Sequence, residues 1–195
     1  FDHRKQLFEL ATKYGVDSNK INKIKKLFIK STQKAIEKSN IPEKNIGVLI
    51  DDTYGEDALN SIAEKSWWIG RPVELPSSRP LKFEGVQSIG SKIQSWPLNH
   101  TVKCLCFYHP DDSDDLKNKQ EQKIKELYFA CLQSGHKLLL EVIPPLEFEN
   151  DEDTIPKILQ RFYDLEIKPD WWKLPSMKDN SWTQVSSIIN TNDPH

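Results

Sequence analysis

The stretch Lys168-Pro-Asp-Trp-Trp-Lys-Leu-Pro175 governs how the rest of the chain is read. Its two prolines fence off an apolar run too brief for a helix, which leaves a strand. Inside that run Lys173 stands between Trp172 and Leu174. A buried ammonium is costly unless it is paired or neutral. Lys173 is therefore either on an edge strand, with its head turned to water, or inside for a chemical reason.

Two earlier runs bear on that choice. Thr101-Val-Lys-Cys-Leu-Cys-Phe-Tyr108 places Lys103 in the first half of an apolar strand, and Leu138-Leu-Leu-Glu-Val-Ile143 places Glu141 between apolar neighbours. Further upstream, Trp67-Trp-Ile-Gly-Arg-Pro-Val-Glu74 is a short strand interrupted by Pro72. Ile46-Gly-Val-Leu-Ile50 is a fully buried strand ending in the turn Asp51-Asp-Thr-Tyr-Gly55. Phe1-Asp-His-Arg4 reads as the last residues of a strand begun upstream, followed by a turn of helix and a loop at Gly15.

Helical patterns separate the strands. Ile21, Ile24, Leu27, Phe28 and Ala35 keep helical spacing, and the lysines from Lys20 to Lys30 form a solvated face until Pro42 stops the helix. Further helices are expected over about Glu56 to Lys65, at Ile89, Ile93 and Trp96, and from Leu116 to Leu132 before Gly135. Two more run from Ile155 to Leu165 and from Ser181 to Ile189. The loop carrying Pro76, Pro80 and Gly85 is long for a compact domain, so it is either functional or a packing wall.

Alternating apolar strands and amphipathic helices predict a parallel sheet covered by helices. Six strand-helix units are countable. An eight-stranded barrel takes about 250 residues. The expectation is thus an α/β (β/α)8 TIM barrel that is incomplete, running from the end of strand 1 through helix 6 with strands 7 and 8 absent. It forms one domain over residues 1–195. An open doubly wound sheet is the alternative.

Composition narrows the function. With 27 Lys and Arg against 29 Asp and Glu there is no basic excess to attract nucleic acid, and the apolar runs are strand-sized, so no membrane span is expected. Cys104, Cys106 and Cys131 fit reduced core thiols in a cytoplasmic protein. No G-x-G-x-x-G or phosphate loop occurs, and the five histidines lack metal-ligand spacing, so no cofactor and no metal are expected.

Lys103, Glu141 and Lys173 fall on three consecutive strands. Side chains alternate along strands, so all three can converge inside a barrel. Schiff-base catalysis wants such a set. An amine attacks a ketone only when unprotonated, so a catalytic lysine must come down from about 10.4 toward 7, roughly 4 to 5 kcal/mol. Burial and a second lysine both push that way. Lys173 is expected to be buried, Lys103 to be the like charge, and Glu141 to move protons.

The same segments resemble known enzymes. Val102-Lys-Cys-Leu-Cys-Phe-Tyr-His-Pro-Asp-Asp112, Leu139-Leu-Leu-Glu-Val142 and Trp172-Lys-Leu-Pro175 resemble the fourth, fifth and sixth strands of class I tagatose-bisphosphate aldolases. Phe1-Asp-His-Arg4 and Val48-Leu-Ile-Asp-Asp-Thr-Tyr-Gly55 resemble that family's first and second strand ends. Trp67-Trp-Ile-Gly-Arg-Pro-Val-Glu-Leu-Pro76 with Trp171-Trp-Lys-Leu-Pro175 is more similar still to the aldolase-like C-terminal domain of bacterial inositol-catabolism 5-dehydro-2-deoxygluconokinase proteins.

The resemblance implies cleavage of 2-deoxy-5-keto-gluconate 6-phosphate into dihydroxyacetone phosphate and malonate semialdehyde. Lys173 would form the Schiff base, Glu141 would transfer protons and Lys103 would support them. Asp2, Arg4, Asp51 and Arg71 are the substrate-binding candidates. Arg71 is set against the substrate carboxylate, with Arg4 and Arg79 as competitors and a salt bridge to Glu74 or Asp52 as the structural alternative. The loops after strands 7 and 8 would hold the phosphate, so the fragment is expected to lack part of its site.

The resemblance implies a carbohydrate kinase domain as a partner in the full-length protein, and the uncovered barrel edge favours a homo-oligomer. The competing reading is a non-catalytic domain that binds a sugar phosphate.

Overall fold

A computed structural model describes residues 3–85 and 88–194. Five strands, β1 (Gly47–Leu49), β2 (Trp68–Pro72), β3 (His100–Phe107), β4 (Leu138–Ile143) and β5 (Trp171–Lys173), form one sheet in sequence order. All four pairings are parallel. Helices α1 (Arg4–Lys13), α2 (Lys20–Ser39), α3 (Asp52–Asn60), α4 (Ile89–Gln94), α5 (Asp114–Ser134), α6 (Thr154–Asp164) and α7 (Asp179–Asn192) complete the order. No helix among the described residues is long and apolar enough to cross a membrane.

The strands β1 to β5 match the second to sixth strands expected from the sequence. The first does not appear among the described residues. Arg4, read as a strand end, instead opens a ten-residue helix, while Phe1 and Asp2 lie outside the described residues.

The sheet is curled. Trp68 on β2 and Trp171 on β5 meet edge to face with ring centroids 6.1 Å apart, although β3 and β4 lie between them. A flat sheet would hold those positions about 14 Å apart. Curling divides the side chains into a concave set, including Leu49, Lys103, Leu105, Glu141 and Lys173, and a convex set that packs on helices.

The convex side holds two cores. Val48, Ile50 and Ile69 pack with Ile29 of α2 and with Ala58 and Leu59 of α3. Val73, Val102, Cys104, Cys106, Leu138, Leu140 and Val142 pack with α4, α5, α6 and Val185 of α7. All three cysteines are buried free thiols. Burial pushes the Cys131 thiol up to about 12, because its thiolate would lose hydration.

Local signals set the helix ends. Ser113 accepts from the Leu116 N–H at 3.4 Å, Asp114 and Asp115 fill the first turn of α5, and Gly135 closes it at φ 76°. Helix α3 begins earlier than its expected start at Glu56, because the Asp51 carboxylate accepts from the Tyr54 N–H at 2.8 Å and caps it. One lysine of the expected solvated face is not solvated. Lys25 is fully buried and paired with Asp51.

Candidate functional site

The concave face of the sheet encloses a cavity of about 400 Å³, lined among others by Leu49, Glu74, Lys103, Leu105, Glu141 and Lys173, with Arg4 of α1 at its side. Strand register builds it. Glu141 pairs directly with Lys173 across β4 and β5, and Lys103 lies one inward position below the Glu141 level, since its own β4 partner is Leu139. The three charges singled out in the sequence therefore meet.

Their geometry is an alternating row. Lys173 Nζ donates to Glu141 Oε1 at 2.5 Å. Glu141 Oε2 lies 3.0 Å from Lys103 Nζ, which donates on its other side to Glu74 Oε1 at 2.9 Å. One residue from each of four consecutive chain segments contributes, and cation alternates with anion. Both glutamates and Lys103 are buried, at 5 % exposure for Glu74, 7 % for Glu141 and 3 % for Lys103. Such a row satisfies charges that could not stand singly in the interior.

Lys173 departs from expectation. Its side chain is 49 % exposed, because β5 is bonded on one side only among the described residues and Lys173 is its last residue. The buried lysine is Lys103. Lys173 is accordingly the amine a solute in the cavity can reach, and Lys103 the fixed charge behind it.

Glu74 is the residue that sequence reasoning missed, having been weighed only as a partner for Arg71. The signal was present in the alternation. Ile69 and Val73 belong to the convex cores, so Gly70, Pro72 and Glu74 share the opposite parity. Burial pushes the Glu74 carboxyl above its ordinary range, and the Lys103 ammonium beside it pulls the other way. Its Oε2 has no hydrogen-bond donor among the described residues.

Arg4 reaches the same end of β2. Its Nη2 donates to the Glu74 carbonyl at 2.7 Å, and its Nε lies 3.1 Å from Glu84 Oε2. The Nη1 has no acceptor among the described residues. Arg4 is thus a buried guanidinium in the cavity wall with spare donor capacity.

Other candidates are placed elsewhere. Arg71 has the parity of Ile69 and Val73 and points to the convex side. There its Nε and Nη2 reach Asp52 Oδ1 at 3.0 and 2.7 Å, and its guanidinium lies 4.0 Å from the Trp96 ring centre. The Asp52 salt bridge is the partner it has. Asp51 is occupied by Lys25 and the α3 cap and does not line the cavity. Asp2 lies outside the described residues.

Arg79 pairs with Asp112 and Glu147, tying the loops after β2, β3 and β4 together. Among the described residues no three His, Cys, Asp or Glu side chains gather in a set able to hold a metal ion.

No curated protein matches this sequence. A family profile described as "Uncharacterized protein conserved in bacteria (DUF2090)" matches residues 1–195. The chain, with its curled parallel sheet and its row of alternating charges, belongs to the DUF2090 family.

Proposed function

We propose that this protein is a class I aldolase, acting on a ketose-type sugar-acid phosphate through a Schiff base on Lys173. The observation that carries the reading is the single carboxylate of Glu141 held between two ammonium groups, one reachable and one buried. The curled five-stranded sheet fits the second to sixth strands of a (β/α)8 barrel, and in barrels the carboxyl ends of strands hold the chemistry.

The substrate that the aldolase resemblance favours is 2-deoxy-5-keto-gluconate 6-phosphate. The Lys173 amine adds to the C5 ketone and its displaced N–H proton moves to the ketone oxygen, Glu141 having first taken one proton from the Lys173 ammonium. Glu141 returns that proton to the carbinolamine hydroxyl, which leaves as water and gives the iminium. The iminium then draws the electrons of the C3–C4 bond. As that bond breaks, the C3 hydroxyl proton passes to Glu141 and malonate semialdehyde departs. Protonation of the enamine at C4 and hydrolysis free dihydroxyacetone phosphate and restore Lys173. Lys103 keeps Glu141 oriented throughout, and Arg4 offers its spare donor to an anionic end of the substrate.

Borohydride reduction in the presence of dihydroxyacetone phosphate tests this directly. A stable adduct on the Lys173 peptide, read by mass spectrometry and missing in Lys173→Arg, is expected. An adduct on another lysine, or none at all, would remove the Schiff-base reading.

A further inference from the structure

The mechanism above leaves one buried ionisable group of the cavity without a role. Glu74 shares Lys103 with Glu141, at 2.9 and 3.0 Å, so the ammonium is suspended between two carboxylates and not seated on one. The bridge from Glu74 to Phe83 fixes the backbone there, and the Arg4 donation to the Glu74 carbonyl fixes it further.

We infer that Glu74 is a positioning residue for the aldol cleavage, drawing Lys103 partly off Glu141 so that Glu141 stays basic enough to take protons from Lys173 and from the substrate hydroxyl. The inference rests on the aldolase reading. Its physics is a sharing of one cation. A carboxylate that holds an ammonium alone is a poorer base than one that shares it, because the nearby positive charge favours the ionised form. The groups facing the two glutamates are Lys103 from β3, Lys173 from β5, Arg4, Lys5 and His3 from the N-terminal segment, and Glu84 through Arg4. Cys104 lies behind Lys103 on the convex face, its thiol pushed well up by burial. Of these, only Glu74 and Glu141 are carboxylates in contact with Lys103 among the described residues.

Glu74→Gln keeps the shape and removes the charge. In steady-state cleavage it should lower kcat by about 10- to 100-fold, with KM little changed, since a charge-assisted contact is lost that acts through Glu141. The ascending limb of the kcat–pH profile should move to lower pH, because Glu141 then shares Lys103 with one carboxylate fewer. Glu74→Asp retains the charge at a shorter reach, and it should recover part of kcat and restore the limb.

A Glu74→Gln protein with wild-type kcat and an unmoved limb would overturn the inference, as would a kcat loss with no limb shift, the mark of a purely structural role. If Glu74→Gln does not fold, Glu74→Asp decides, and a kcat equal to that of wild type and of the solvent-exposed control Glu56→Gln, despite the shortened reach to Lys103, would overturn it. Borohydride trapping separates the two levels. An adduct on Lys173 in wild type and in Glu74→Gln, with kcat unaffected, sinks the positioning role alone. No adduct in wild type sinks the aldolase reading and this inference with it.

Discussion

Replacing Lys103 by Met keeps most of the side-chain volume and removes the cation between Glu74 and Glu141. Removing one partner of a buried charge pair costs about 3 to 5 kcal/mol, because the other charge is left uncompensated. The lower end applies here, since Glu141 retains the half-exposed Lys173 and Glu74 retains Arg4 at 4.0 Å. For a chain of this size about 3 kcal/mol corresponds to a fall in Tm of about 6 to 12 °C.

The pH dependence is the sharper part. Burial raises the Glu74 carboxyl above its ordinary 4.5, and Lys103 opposes the rise. A carboxyl whose folded value is raised has its full contribution to stability below the unfolded value, and loses it as pH climbs through the folded one. Without Lys103 that folded value goes higher still, so the two proteins diverge as pH rises from about 4.5. Thermal melts of wild type and Lys103→Met, from about pH 5 to about pH 8, should therefore show a gap that is small in acid and grows toward alkali. A gap that is constant, or that widens in acid, would refute the account of Lys103 as a counter-ion for buried carboxylates.

Two further outcomes follow from the site's surroundings. Arg71→Ala should lower stability by about 1 to 3 kcal/mol, through the lost Asp52 pair and Trp96 contact, and leave KM for an acid substrate near wild type. A large KM rise with unchanged stability would return Arg71 to substrate recognition. Lys25→Met should cost about 3 to 5 kcal/mol in chemical denaturation, since Asp51 is then buried without that charge. An effect within about 0.5 kcal/mol, the range of ordinary surface substitutions, would show the pair to be incidental.

Strand parity made much of the site legible. Apolar alternation around Lys103 and Glu141 fixes which way each points once the sheet has a helix-covered side, and both were found inward as expected. Pro169 and Pro175 correctly bounded β5, but its apolar flanks misled on burial. The exposure of Lys173 depends on what lies beside β5, which local sequence does not encode. Arg71 was misread because its proximity to a strand end was weighed above its parity with Ile69 and Val73. Glu74 was missed because it was weighed only as a salt-bridge partner for Arg71, although the expected strand from Trp67 to Glu74 already carried it toward the bridge with Phe83. Lys25 lay hidden among a run of lysines that are otherwise mostly solvated, and only the docking of α2 on the end of β1 singles it out. The start of α1 followed from no helix-start signal, as His3 makes no side-chain cap.

The two convex cores give the molecule unequal halves. The smaller rests on α2, β1, α3 and the start of β2, while the larger backs β3, β4 and the helices α4 to α7. Amides in weakly backed elements exchange with solvent through partial openings, and those in the main core wait for global unfolding. Strand β1, three residues long and bonded on one side among the described residues, belongs to the first class. The strands that bear Lys103 and Glu141 belong to the second. Hydrogen exchange is therefore expected to divide the chain after about its first third, with the slowest protons on the strands holding Lys103 and Glu141.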